Sequence, residues 1–112
     1  MLDIQLQSDN EMAHVIVRGK VDIHSSPKLR QALKPLLTAE RTAVFVDLNQ
    51  VSFMDSSGIA TLVEGLQWSR EHGGRFVLSG LSDSVRDIFA LARLDTVFEI
   101  EDTDAAKKEP SG

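Results

Sequence analysis

Residues 51–66 read VSFMDSSGIATLVEGL, and the fold turns on how they are read. The run opens like a buried strand and closes with Ile59, Leu62, Val63 and Leu66 at helical spacing. Between them stand Asp55, Ser56, Ser57 and Gly58. A strand passing within a few residues into a helix is the repeating joint of an α/β sheet. Sites tend to form at the C-terminal ends of such strands.

Working outward, AVFVDL (43–48) is nearly all apolar and rich in Val, as suits a strand covered on both faces. Further upstream, Leu2, Ile4 and Leu6 alternate, and the run from Met12 to Val17 repeats the pattern more densely. SDNE lies between these runs, so they are predicted to form a hairpin. In VDIHSSPKLRQALKPLL, Ser26 suits a helix cap and Pro27 the first helical position, where its missing N–H costs nothing. Leu29, Ala32, Leu33, Leu36 and Leu37 then share one face. Pro35 should kink or shorten the last turn, because it cannot bond the carbonyl of Gln31.

Downstream, Gly73 or Gly74 can close the second helix in the left-handed conformation. RFVLSG reads as a strand. SDSVRDIFALARL reads as a third helix, with Ser82 as cap and Val85, Ile88, Phe89 and Ala92 inward. TVFEI (96–100) is a short last strand. The order is strand, strand, helix, strand, helix, strand, helix, strand. Strand-helix-strand units favour parallel neighbours and the opening hairpin adds an antiparallel pair. The predicted fold is therefore α/β: one domain over residues 1–101, a mixed sheet with an N-terminal antiparallel hairpin and helices packed on it. Residues 102–112, EDTDAAKKEPSG from Glu101 onward, lack apolar periodicity and are expected to form a disordered polar tail.

Composition removes several classes of function. Twelve Lys and Arg against 17 Asp and Glu leave a net charge of −5, with no basic stripe for nucleic acid or an anionic membrane. No cysteine is present, which excludes disulfides, thiol catalysis and Cys-based zinc sites. The first residues lack the basic start and apolar run of a signal peptide, and no stretch approaches the roughly 18 apolar residues of a membrane span. A cytoplasmic protein is expected.

At the joint, three roles compete: a helix cap, a catalytic serine, or a serine modified by another enzyme. Capping explains one polar residue well and three less well. Gly58 is a poor helix former and leaves room beside the hydroxyls, as a site approached by another molecule requires. A nucleophilic serine needs a base within hydrogen-bond reach, and there is no G-x-S-x-G elbow. His14 lies in a strand and His72 at a helix end, so His24 alone is placed to approach the joint; all three read as ordinary polar histidines. They form no metal-ligand spacing. A Gly-rich dinucleotide turn and a phosphate-binding loop are both missing. Asp47 sits late in a buried strand, as a response-regulator phosphoacceptor does, but the first strand does not end in the acidic pair that such a magnesium site needs. It reads better as a turn-capping residue.

VSFMDSSGIATL resembles the signature of the STAS-domain anti-sigma factor antagonists of bacteria, and GKVDIHSSPKLRQAL resembles that family's segment in which an Asp follows the hairpin. The resemblance spans roughly residues 2 to 100. It implies that Ser56 is the phosphorylated serine and that Asp22, Asp55, Ser56, Ser57 and Gly58 contribute to partner binding. The implied partners are an anti-sigma factor that is itself a serine kinase, using ATP and magnesium, and a serine phosphatase that reverses the modification. The chain itself is then not an enzyme and needs no cofactor or metal. Many members carry Gly where this chain has Ala60. The other role the fold can play is a docking subunit of another bacterial assembly, such as a stress-signalling complex or a lipid-transport ABC system.

Overall fold

The computed structural model describes residues 2–8, 11–39 and 43–101. Within them the elements are β1 (Leu2–Ser8), β2 (Met12–Val21), α1 (Ser26–Leu37), β3 (Ala43–Met54), α2 (Ser56–His72), β4 (Arg75–Ser79), α3 (Asp83–Leu91) and β5 (Glu99–Glu101). A 3-10 turn at Leu94–Thr96 precedes the last strand. The strands lie in chain order in one sheet. β1 runs antiparallel to β2, with Leu2 opposite Gly19; every other pair is parallel. The α/β class, the mixed sheet and the opening hairpin all stand as predicted. The centre of the predicted turn (residues 9 and 10) and the predicted tail (residues 102–112) fall outside the described residues.

The core joins one face of the sheet (Val15, Val17, Val44, Val46, Leu78) to Leu29 and Leu33 of α1, Leu62 of α2, and Val85 and Phe89 of α3. Each fully buried side chain of this kind stabilises the fold by about 1.5–3 kcal/mol. The opposite face is not covered on β3, contrary to expectation. Phe45 and Asp47 are half-exposed there. With His14, Ile16 and Ser79 they line a shallow groove of about 380 Å³.

β3 is also longer than predicted, running unbroken through Asn49 and Gln50 into the DSSG joint. Its pairing with β2 shifts twice, between Ile16 and Arg18 and between Gly19 and Lys20. Each shift places one extra residue in β3, a bulge that reverses the alternation of faces. Leu48, Val51 and Met54 therefore all point into the core although they stand three apart. The bulges aim the end of the strand so that Met54 seats under the start of α2.

Several local expectations are corrected. Ser25, not Ser26, occupies the cap position of α1, which makes Pro27 the second helical residue. The Ser25 hydroxyl donates to the Lys20 carbonyl at 2.7 Å instead of capping. Pro35 stands in the last turn of α1, which ends two residues later at Leu37. Pro35 and Gln31 are both exposed, so the lost bond falls on the solvent side. Leu6 is exposed, Ala32 only half-buried, and Ala92 exposed beyond the end of α3. The residues predicted as TVFEI are split between the 3-10 turn, a buried Phe98 and β5. Two predicted caps hold: the Ser82 hydroxyl accepts from the Val85 N–H, and Gly73 closes α2 at φ 74°.

The inner face of α2 consists largely of small residues: Gly58, Thr61, Gly65 and Ser69, with Leu62 and Leu66. Ile59 and Val63, predicted to lead the stripe, are only half-buried at its flank. Small residues let α2 lie close. A Cβ on Gly65 would stand 3.1 Å from Leu37 Cδ1 and 3.4 Å from the Phe76 ring.

Candidate functional site at the start of the second helix

Asp55 is the hinge between sheet and helix. Its N–H donates to the Val21 carbonyl at 3.0 Å, extending the β2–β3 pairing by one step. Its side chain then caps α2. Oδ1 accepts from the N–H groups of Ser57 at 2.9 Å and Gly58 at 3.3 Å, and from the Ser57 hydroxyl at 2.5 Å. Two of the orphan donors of the first helical turn are thus satisfied.

The two serines consequently differ. Ser57 is half-buried and its proton is committed to Asp55, while its carbonyl accepts from the Thr61 hydroxyl at 2.9 Å. Ser56, the first residue of α2, is exposed, and among the described residues nothing hydrogen-bonds its hydroxyl. It stands where helix N–H groups and the helix dipole favour an anion.

Gly58 is buried. A Cβ there would lie 2.6 Å from Met54 Cγ and 2.8 Å from Val21 Cγ1. The bare backbone therefore seats α2 on the ends of β2 and β3. The expectation that Gly58 clears space for an approaching molecule gives way to this internal role.

Asp22 follows β2 at the same edge. Its carboxylate turns into its own loop, where Oδ1 accepts from the N–H groups of His24 at 2.9 Å and Ser25 at 3.0 Å. The Ser25 hydroxyl accepts from the Asp22 N–H at 2.9 Å. The loop leaves β2 right at the joint, where the Val21 carbonyl accepts from the Asp55 N–H, and the Ile23 N–H is the weakest of the groups that lower the Asp55 pKa. Asp22, Asp55, Ser56 and Ser57 are thus gathered at one edge. Sequence reasoning missed Ser25, although D-x-x-S before a helix is a side-chain turn pattern. It also missed Ile23, whose contribution is a backbone donor.

The histidines do not join the site as bases. His14 stacks on Phe45 on the half-open sheet face, with centroids 5.0 Å apart. His72 Nδ1 lies 2.9 Å from the Trp68 carbonyl. His24 contributes its backbone N–H to the Asp22 loop. Asp47 accepts from the Asn49 N–H at 2.8 Å within the unbroken strand β3, at its first bulge, so it caps no turn, contrary to expectation. Among the described residues no group of three His, Asp or Glu side chains is arranged to hold a metal ion, and no helix is long and apolar enough to cross a membrane.

Residues 4–100 match the family described as Mlab, STAS domain. The chain belongs to the STAS domain family. Within that family it is 30% identical over 98 residues to the anti-sigma-B factor antagonist of Listeria monocytogenes, covering 88% of this chain and 86% of the relative. Its STAS fold is also that of an anti-sigma factor antagonist from Mycobacterium paratuberculosis, with TM-score 0.80, 23% identity and coverage of 89% and 85%. A third likeness is the Bacillus cell fate determinant SpoIIAA in its phosphorylated form: TM-score 0.72, 22% identity, coverage 95% and 98%.

Both carboxylates of this STAS domain's joint are held below the usual range. For Asp55 the Ser57 hydroxyl acts first, with the N–H groups of Gly58, Ser57 and Ile23, against an opposing burial. For Asp22 the Ser25 N–H acts first, then the His24 N–H and the Ser25 hydroxyl, again against burial. A carboxylate whose folded pKa lies below its unfolded value of about 3.9 contributes stability that is complete above that value. The contribution is lost as pH falls through the folded value. Thermal melts should accordingly be flat from about pH 8 to 5 and decline below about pH 4. Asp55→Asn, which can still cap but cannot titrate, should lose less on acidification. Identical acid limbs for the two proteins would count against this assignment.

Proposed function

We propose that this STAS domain is an anti-sigma factor antagonist whose binding is switched off by phosphorylation of Ser56. In this reading the unmodified chain binds an anti-sigma factor that is also a serine kinase, in the cytoplasm, and so frees a sigma factor. The kinase supplies ATP, magnesium and the chemistry, and a serine phosphatase restores the hydroxyl. Asp22, Asp55, Ser56 and Ser57 form the surface presented to the partner, with Gly58 seating the helix beneath them.

The observation that carries the reading is the contrast between the serines. The Ser57 hydroxyl donates its hydrogen bond to Asp55, whereas the Ser56 hydroxyl is exposed and unengaged at a helix start. Support also comes from the relatives, which are called anti-sigma-B factor antagonists. Membership of the STAS family is also compatible with a second reading, a STAS docking subunit of another bacterial assembly.

Incubation with ATP, magnesium and the serine-kinase anti-sigma factor of the same organism, followed by mass spectrometry, separates the two. One phosphate on Ser56 is expected. A phosphate on Ser57, or none, would sink the proposal and leave the docking role.

A further inference from the structure

Six large apolar side chains are conspicuously exposed among the described residues: Leu6, Met12, Ile23, Phe53, Leu91 and Val97. Leu6 and Met12 lie toward the hairpin-turn end of the sheet, and Leu91 and Val97 flank the chain's path out of α3. Ile23 and Phe53 border the joint itself. Ile23, 69% exposed, follows Asp22 in the loop that leaves β2 beside Asp55, whose N–H donates to the Val21 carbonyl. Phe53, 48% exposed, stands two residues before Asp55 and pairs with Lys20 across the β2–β3 seam. The next pair along that seam, Val21 with Met54, points into the core. Phe53 therefore projects from the other side of the sheet's end.

Both side chains have bare surfaces and fixed backbones. The Ile23 backbone is held in the loop on either side of it, by the Asp22 carboxylate that accepts from the His24 and Ser25 N–H groups. The Phe53 backbone is locked in a strand. Apolar residues held this way lose little freedom on binding, which is what makes an interface anchor effective. Asp22 directly precedes Ile23, and Asp55 follows Phe53 by two residues.

We infer that Ile23 and Phe53 are apolar anchors that dock the serine-kinase anti-sigma factor over Ser56, into a partner surface whose apolar pockets are rimmed by cationic groups facing Asp22 and Asp55. This rests on the reading of Ser56 given above. It adds a division of labour: the anchors set affinity, and Ser56 sets whether that affinity is expressed.

The test measures phosphorylation kinetics of the whole chain with the purified serine-kinase anti-sigma factor of the same organism, ATP and magnesium. Ile23→Ser and Phe53→Ser should each raise KM for the chain about tenfold or more. They should leave kcat and the melting temperature near wild type. Leu6→Ser and Leu91→Ser, which remove equally exposed apolar groups elsewhere, should leave KM unchanged. Wild-type KM in both anchor variants, with the wild-type chain phosphorylated on Ser56, would overturn the inference and spare the switch. Equal KM increases in the Leu6 and Leu91 variants would also overturn it. A wild-type chain that takes no phosphate would remove the switch and the anchors together.

Discussion

Phosphate on Ser56 is expected to weaken binding to the anti-sigma partner a few hundredfold. The group adds about −1.5 to −2 charges at pH 7. Within this chain the helix start accommodates it, because N–H groups and the dipole face it. Across a closed interface it must shed water beside Asp55 and Asp22, whose carboxylates are held ionised by their hydrogen bonds. A penalty of about 3–4 kcal/mol corresponds to that loss of affinity. Ser56→Ala should bind as the unmodified chain does and stay bound when kinase and ATP are present. Ser56→Asp should fall between wild type and phosphoprotein, since it carries less charge and fewer acceptor oxygens. Calorimetric titrations of the three proteins at low and high salt test the order. Added salt should shrink the Ser56→Asp defect if exposed charges cause it, and leave it if the contact is dry. Wild-type affinity for both Ser56→Asp and the phosphoprotein would rule out charge at this position as the switch.

The second large effect lies beneath the site. Gly58→Ala should destabilise the fold by about 1–2 kcal/mol. Overpacking a filled core costs about 1–3 kcal/mol, and alanine's better helix propensity returns up to about 1 kcal/mol. The clash is with Met54 Cγ and Val21 Cγ1, neither the far end of a flexible chain. Gly58→Val should cost more, because its two extra methyl groups enter the same space. Urea melts should show a lower midpoint. Adding Val21→Ala to Gly58→Ala should recover part of the loss relative to the sum of the single changes, a coupling expected of groups in contact. Additive losses would mean that the helix start moves aside instead of pressing on Val21.

The element order was legible because apolar spacing changes from two to helical at each polar or glycine-rich break. The full length of β3 was not, since its two bulges destroy simple alternation and Asn49-Gln50 reads as a loop. The inner face of α2 was misread for a different reason. Hydrophobicity locates large apolar residues, but Gly58, Thr61, Gly65 and Ser69 are inward because they are small enough for close approach. At the site, the cap was visible as a residue type, though which of three polar residues provides it needed coordinates. The division between Ser56 and Ser57 depends on one hydroxyl lying 2.5 Å from Asp55. The Asp55–Val21 bond that ties helix to sheet is made by main-chain groups, and no choice of side chain announces one.

Asp55 closes the sheet with its amide and the helix with its carboxylate. A joint made from a single residue has no slack to take up. Modified and unmodified copies would superimpose, and spectroscopy of secondary structure would not tell them apart. An electric field would: the phosphorylated chain carries a net charge near −7 instead of −5, and should run ahead toward the anode. In the proposed switch, the protein's state is written as charge on an unchanging shape.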